Sequence, residues 1–250
     1  MDLKKLKLGT VIACLLMATP MLASAAEDSA MSMGGVQSGS WSGFYLGGHV
    51  GYATGEVRWY NPRIDAVNSD SNESAVFGVQ IGHDFSIGGL VAGINAGFAN
   101  TLGGSGEILC GAARGVASPN PNGRMCDREI ADVFTIGGRL GVPFSDRLLG
   151  YASAGYANGR LETHAWPQAD GRDGPKGRRS SARHDGFYVG LGGEVALTER
   201  VATSLEWRYY EFAPADQVKI QNDGGMPPNP IREDVRGRAN TINLGLVFRF

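Results

Sequence analysis

The 250-residue sequence has no excess of basic residues, no G-X-Y period and no apolar run long enough for a membrane-crossing helix. A formal net charge of −2 excludes the basic domain that a nucleic-acid partner requires. No segment reaches the roughly 18 consecutive apolar residues of a transmembrane helix. The 38 glycines lack the repeat of collagen. They sit inside the apolar segments, where each would cost a helix about 1 kcal/mol against alanine, so a helical bundle is excluded too. Aromatics at 9% supply too many large apolar groups for a disordered chain. Catalytic signatures are equally scarce: there is no Gly-x-Ser-x-Gly, no His-Glu-x-x-His and no phosphate loop. None of His49, His83, His164 and His184 has a serine two residues on. Gly47-Gly48-His49-Val50-Gly51 is rich in glycine, but no helical pattern follows it, and it reads as strand. The chain is therefore expected not to be an enzyme and to need no cofactor or metal.

What the sequence does carry begins with an export address. Lys4, Lys5 and Lys7 form a basic n-region, Val11 to Met17 an apolar core, and Ala23-Ser24-Ala25 a small-x-small cleavage site, cut after Ala25. Val11-Ile12-Ala13-Cys14 resembles a lipoprotein box, but most of the apolar run lies after Cys14. Residues 1–25 are thus expected to be a signal peptide. Residues 26–40, small and polar, form a mobile leader, and residues 41–250 form the domain.

From Trp41 onward the apolar signal alternates with period two, which describes strands with two unlike faces. Phe44, Leu46, Val50 and Tyr52 alternate with Tyr45, Gly47, His49 and Gly51. The pattern recurs around 77–85, 90–98, 134–142, 187–197, 201–209 and 242–250. Residues 148–158 are strand-like as well, with small residues filling both faces. Eight segments result. Short connections lie near 86–89, 143–147 and 198–200; long polar ones cover about 59–74, 102–129, 161–185 and 213–238. Short turns on one rim and long loops on the other describe an eight-stranded antiparallel transmembrane β-barrel, all-β, with short periplasmic turns and long extracellular loops. A soluble sandwich would carry Lys, Glu and Thr on its polar face. Here that face is Gly, Ala, Asn and Ser with a few charges, as suits a narrow lumen.

These residues resemble a known family. Trp41-Ser42-Gly43-Phe44-Tyr45-Leu46-Gly47-Gly48 resembles the opening motif of small alphaproteobacterial outer-membrane β-barrels, the porin-family surface antigens, related in architecture to the OmpA barrel and OmpX. Gly138-Arg139-Leu140-Gly141 with Leu148-Leu149-Gly150-Tyr151 is similar to the family's middle motif. Gly190-Leu191-Gly192-Gly193-Glu194 with Leu205-Glu206-Trp207-Arg208-Tyr209-Tyr210 is similar to its later hairpin, and 243–250 to its end. The resemblance implies an outer-membrane location and a structural, surface-interaction role as adhesin or antigen. It further implies that Ile242, Leu244, Leu246, Phe248 and Phe250 form the signal read by the barrel-assembly machinery. Some members are associated with haem binding or host-cell contact.

Four charges, Arg139, Glu194, Glu206 and Arg208, fall on lumen positions at similar distances from the short turns, and are expected to neutralise one another there as a static network or a gate. Cys110 and Cys126, in the second long loop of an exported chain, are expected to form a disulfide. Arg172, Lys176, Arg178, Arg179 and Arg183 make the third loop basic, suited to lipopolysaccharide phosphates or an anionic surface polymer. His164 and His184 flank that loop as candidate ligands for haem or a metal. The expected protein is a monomer in outer-membrane lipid, non-catalytic, with a narrow channel and haem or ligand capture as the rival functions. The loop ligand itself stays open, since loops diverge freely on a constant scaffold.

Overall fold

The computed structural model describes residues 41–61, 66–102, 108–110, 124–167, 178–215 and 234–250. The leader, including Ala25, lies outside the described residues, as do Arg172 and Lys176. The strands are β1 (Gly43–Asn61), β2 (Ala66–Ile87), β3 (Leu90–Leu102), β4 (Ile108–Cys110), β5 (Arg124–Ser145), β6 (Leu148–Pro167), β7 (Arg178–Ala196), β8 (Val201–Ala215) and β9 (Asp234–Arg249).

Each long strand runs antiparallel to its neighbour. β9 returns to β1, from Tyr45↔Arg249 to Tyr60↔Asp234, and β3 joins β5, from Val91↔Gly141 to Asn100↔Asp132. Eight long strands thus close a barrel, and closure removes the open edges of a sheet. The three-residue β4 continues the β5 ladder at Ile108↔Cys126, above the point where β3 stops pairing. At the turn rim, Gly88 and Gly89 join β2 to β3, with φ of 57° and 86°. Two successive positive φ angles are what a mirror-image two-residue hairpin turn demands, and glycine meets that demand without strain.

Burial is inverted relative to a soluble protein. Ile94 is 63% exposed, Leu191 60% and Leu244 57%, while Asp84 and Glu194 are fully buried. A sandwich in water would do the reverse, so this alternation turns its apolar face outward to form a band around the barrel. The interior is tight. Gly137 pairs with Gly155, and a Cβ on Gly155 would stand 2.5 Å from the Gly137 Cα and 2.8 Å from the Tyr188 ring. On β6 the small residues hid the facing; Leu149, Tyr151, Ser153 and Ala157 are the buried set.

The eight long strands outrun the apolar signal, from 13 residues in β3 to 22 in β5. Much of the first and third expected long connections is ladder: β1 pairs with β2 up to Asn61↔Ala66, and β6 with β7 up to Ala165↔Arg178. The physical reason is that beyond the apolar band both faces are polar. The hydrophobic alternation ends there while the backbone hydrogen bonds go on.

Candidate functional site

The interior holds its charges in two layers. Near the turn rim, Arg139 of β5 donates from Nε to Asp84 Oδ1 at 2.8 Å, from Nη2 to Asp84 Oδ2, and from Nη1 to Glu194 Oε1 at 2.6 Å. Arg249 of β9 completes the ring, donating to Asp84 Oδ2 at 2.8 Å and to Glu194 Oε2 at 2.5 Å. Two guanidinium groups and two carboxylates therefore form a closed, formally neutral cycle tying β5 and β9 to β2 and β7. Planar guanidinium forks suit this geometry because each can serve two carboxylate oxygens at once. The rings of Tyr45 and Tyr151 lie 4.4 and 5.0 Å from the Arg139 guanidinium, and Trp41 lies 5.2 Å from that of Arg249. Such stacking offsets part of the cost of taking these cations out of water. All four side chains of the ring are buried.

The second layer lies further in. Arg208 donates to Glu206 Oε2 at 2.8 Å and to Gln80 Oε1 at 3.2 Å, while the Ser153 hydroxyl donates to Glu206 Oε1 at 2.9 Å. The Tyr188 hydroxyl donates to Asn95 Oδ1 at 3.0 Å. Above it is a cavity of about 50 Å³, bounded by His49, Ser74, Thr241 and Asn243 on one side and Tyr210 and Phe212 on another. At roughly 10–15 Å³ each, a few waters would fill it.

The single four-charge network expected from the sequence is thus two clusters. Arg139 and Glu194 belong to one, Glu206 and Arg208 to the other, and Asp84 and Arg249 complete the first. Counting residues from a turn misjudged depth because a long guanidinium side chain reaches well away from its own Cα, as Arg139 does to Asp84 and Glu194. The signal for the two missing members was present: both occupy polar positions of an alternating segment close to a rim.

At the loop rim the outward face changes from Phe134, Tyr156 and Phe187 to a polar collar. Asp132 accepts from Arg160 Nε at 2.5 Å and from Arg183 Nη2 at 3.1 Å, and Arg183 Nη1 donates to Asn158 Oδ1 at 2.9 Å. Arg178, Arg179 and Arg183 accordingly belong to β7 rather than to a loop, and Arg183 is already engaged by an acid. The polar collar continues the ladder, which is why no hydrophobic alternation marked it.

The two histidines do not face each other. His184 is opposite Gly159 and His164 opposite Arg179, five residues further along β6, which puts them on opposite faces of the sheet. His184 is buried, with Nδ1 3.3 Å from the Ala213 carbonyl. Among the described residues, no group of three or more His, Cys, Asp or Glu is placed to hold a metal. Cys126 lies in β5 opposite Ile108, and Cys110 in β4 opposite Arg124, so both cysteines sit on a two-strand ladder, one diagonal step apart, rather than in an open loop. Ile242, Leu244, Leu246, Phe248 and Phe250 all point outward, and the Phe250 amide donates to the Phe44 carbonyl at 3.0 Å.

A closed antiparallel barrel with an apolar exterior and a polar, ion-paired interior is the architecture of an outer-membrane β-barrel protein. The family model for the outer membrane protein beta-barrel domain matches residues 11–250, and the chain belongs to that family. It is similar to the 31 kDa outer-membrane immunogenic protein of Brucella melitensis biotype 1, with 23% identity over 243 residues and 90% of each chain covered. It is also similar to the 22 kDa outer membrane protein of Rhizobium leguminosarum bv. viciae, at 29% over 214 residues, covering 85% of this chain and 79% of that one. Among solved structures, Neisserial surface protein A matches at 13% identity and a TM-score of 0.44, over 84% of this chain and 98% of its own. The protein resides in the outer membrane, with its apolar band against membrane lipid.

Proposed function

We propose that this barrel is a non-catalytic structural protein of the outer membrane whose loop rim carries a surface-interaction role. The observation that supports this reading is the ring of Asp84, Arg139, Glu194 and Arg249, which fills the lumen near one rim. An ion moving through would have to break several charge-assisted hydrogen bonds that nothing in the lumen replaces. The short turns and the C-terminal strand take the periplasmic side, as in bacterial barrels generally, so the loop rim faces outward. In that orientation the basic residues 172–183 meet lipopolysaccharide phosphates or an anionic surface ligand. The C-terminal strand, ending in Phe250, serves as the recognition element for the assembly machinery, and the protein acts as a monomer without cofactor. The Brucella relative is named an immunogenic protein, which fits a chain displayed at the cell surface.

Planar-bilayer recording of the purified protein tests the closed interior. The expected trace shows no steady conductance; a steady conductance that changes when Arg139 is replaced would favour a narrow channel instead. An epitope tag inserted within 216–233 tests the orientation. Antibody should label it on intact cells, and labelling only after permeabilisation would reverse the assignment.

A further inference from the structure

We propose that Trp41 is a stopper, which closes the turn-rim mouth of the lumen and keeps water from the ion-paired ring. A tryptophan near a strand end of such a barrel ordinarily joins the aromatic girdle at the lipid interface. Trp41, two residues before β1, turns the other way. It is 7% exposed and packs against Val91 of β3 and Leu149 and Tyr151 of β6, all on inward positions. Four ladders separate β6 from β1 in either direction around the barrel, so the two strands are opposite each other. The indole therefore reaches across the mouth instead of lying along its own wall.

Two features hold it there. At Gly43 the chain leaves the lumen for β1 with a φ of 115°, and a Cβ would stand 3.0 Å from the Phe250 carbonyl oxygen. Glycine meets both demands, the left-handed backbone and the close approach. The Trp41 carbonyl accepts from Arg249 Nη1 at 3.4 Å, and its ring lies 5.2 Å from the same guanidinium. Arg249 is a member of the ring, so the stopper is seated directly against the charges it covers.

The burial of those charges requires a cover. Asp84 lies three residues from the turn-rim end of β2 and Glu194 two residues from that of β7, yet both are fully buried. An open mouth would expose them to water, which competes for every hydrogen bond of the ring. The space left beside Trp41 and Arg249 is about 20 Å³, room for one water. This role is separate from the loop-rim function proposed above, and it holds whichever rim faces outward.

Thiol accessibility of the full protein in detergent micelles, where both mouths meet water, tests the stopper. Val91→Cys places a thiol against Trp41, and Ala53→Cys places one in the cavity on the loop side of the lumen. Labelling by a charged, water-soluble thiol reagent is read on the peptide that carries the new thiol, apart from Cys110 and Cys126. Adding Trp41→Ala should speed labelling of Val91→Cys about tenfold or more, as loss of a local closed state does. Labelling of Ala53→Cys should not change. An unchanged rate at Val91→Cys would overturn the stopper. An equal rise at Ala53→Cys would overturn it too, because Trp41 would then only hold the whole barrel together.

Fluorescence gives a second test that leaves Trp41 in place, and it decides the matter should Trp41→Ala not give the heat-modifiable folded form. With Trp59, Trp166 and Trp207 replaced by phenylalanine, emission from Trp41 should resist iodide in the folded barrel and be quenched after boiling. Iodide quenching in the folded barrel would show an open mouth and overturn the proposal.

Discussion

Arg139 holds Asp84 by both oxygens of its carboxylate, inside the lumen and across 55 residues of sequence. This fork links β5 to β2 over the intervening β3, so it ties together two strands that share no ladder. Both groups are buried, and replacing Arg139 with methionine leaves Asp84 and Glu194 to share Arg249. Breaking a buried pair from one side costs about 3–5 kcal/mol. The urea midpoint of unfolding in detergent should fall accordingly for Arg139→Met. The double variant with Asp84→Leu should lose less than the sum of the single losses; additive losses would show that the two residues do not act as a pair.

Gly93 faces the same ring from β3. A Cβ there would collide with Asp84 Oδ1 and stand 3.3 Å from Arg139 Cγ. Gly93→Ala should destabilise the barrel by about 1–3 kcal/mol through overpacking, and its effect should shrink in an Arg139→Met background. Gly138→Ala, on the outer face, meets only the Gly93 carbonyl at 3.4 Å, an ordinary contact, and serves as the neutral comparison. An equal effect of the two alanines in urea titrations would remove the steric argument.

The cysteine pair has a geometric condition attached. Diagonal neighbours on a ladder have Cα atoms about 7–8 Å apart, beyond the roughly 4.4–6.8 Å that a disulfide spans without backbone movement. The bridge thus requires the short β4 ladder to give a little, which three residues of pairing permit. Alkylation of the denatured, unreduced protein should find no free thiol at Cys110 or Cys126. Reduction should lower stability by about 3 kcal/mol on the chain-entropy account of a loop this long. Two labelled thiols before reduction would rule the bridge out.

The barrel was legible because its lipid face imposes period two on each membrane-crossing segment. Leu244, Leu246 and Phe248 have to be apolar whatever else the chain does. The loop-rim half of the strands was not, since Arg160, Arg183 and Asp185 face water or headgroups and no hydrophobic code marks them. Inside, the sequence placed Arg139, Glu194, Glu206 and Arg208 on the correct face but not in the correct layers. Layering depends on shear and on the reach of a long guanidinium side chain, neither of which alternation encodes. The missed partners show the same limit: Asp84 and Arg249 were visible as inward polar positions, but their meeting is a product of closure.

The polar collar carries a pH dependence of predictable sign. Asp185 is held below the usual carboxylate range, chiefly because the Tyr156 hydroxyl donates to it and then because the Asn158 amide does, at 2.8 Å. Glu211 is lowered likewise, first by the Tyr209 hydroxyl at 3.1 Å and then by Arg238 at 3.1 Å. Asp185 is exposed and Glu211 half-exposed, so the surrounding water and salt keep each contribution small. A carboxyl group bound more loosely to its proton in the folded state than in the unfolded one favours folding above the unfolded value, near 4. That advantage disappears as pH falls through the folded value. The thermal midpoint of the heat-modifiable transition should therefore separate wild type from an Asp185→Asn, Glu211→Gln double variant at neutral pH. The two curves should converge as the pH drops below the ordinary carboxylate range, and added salt should narrow the gap at neutral pH. A gap independent of pH would mean that these side chains act through shape and neutral hydrogen bonding rather than through their charge.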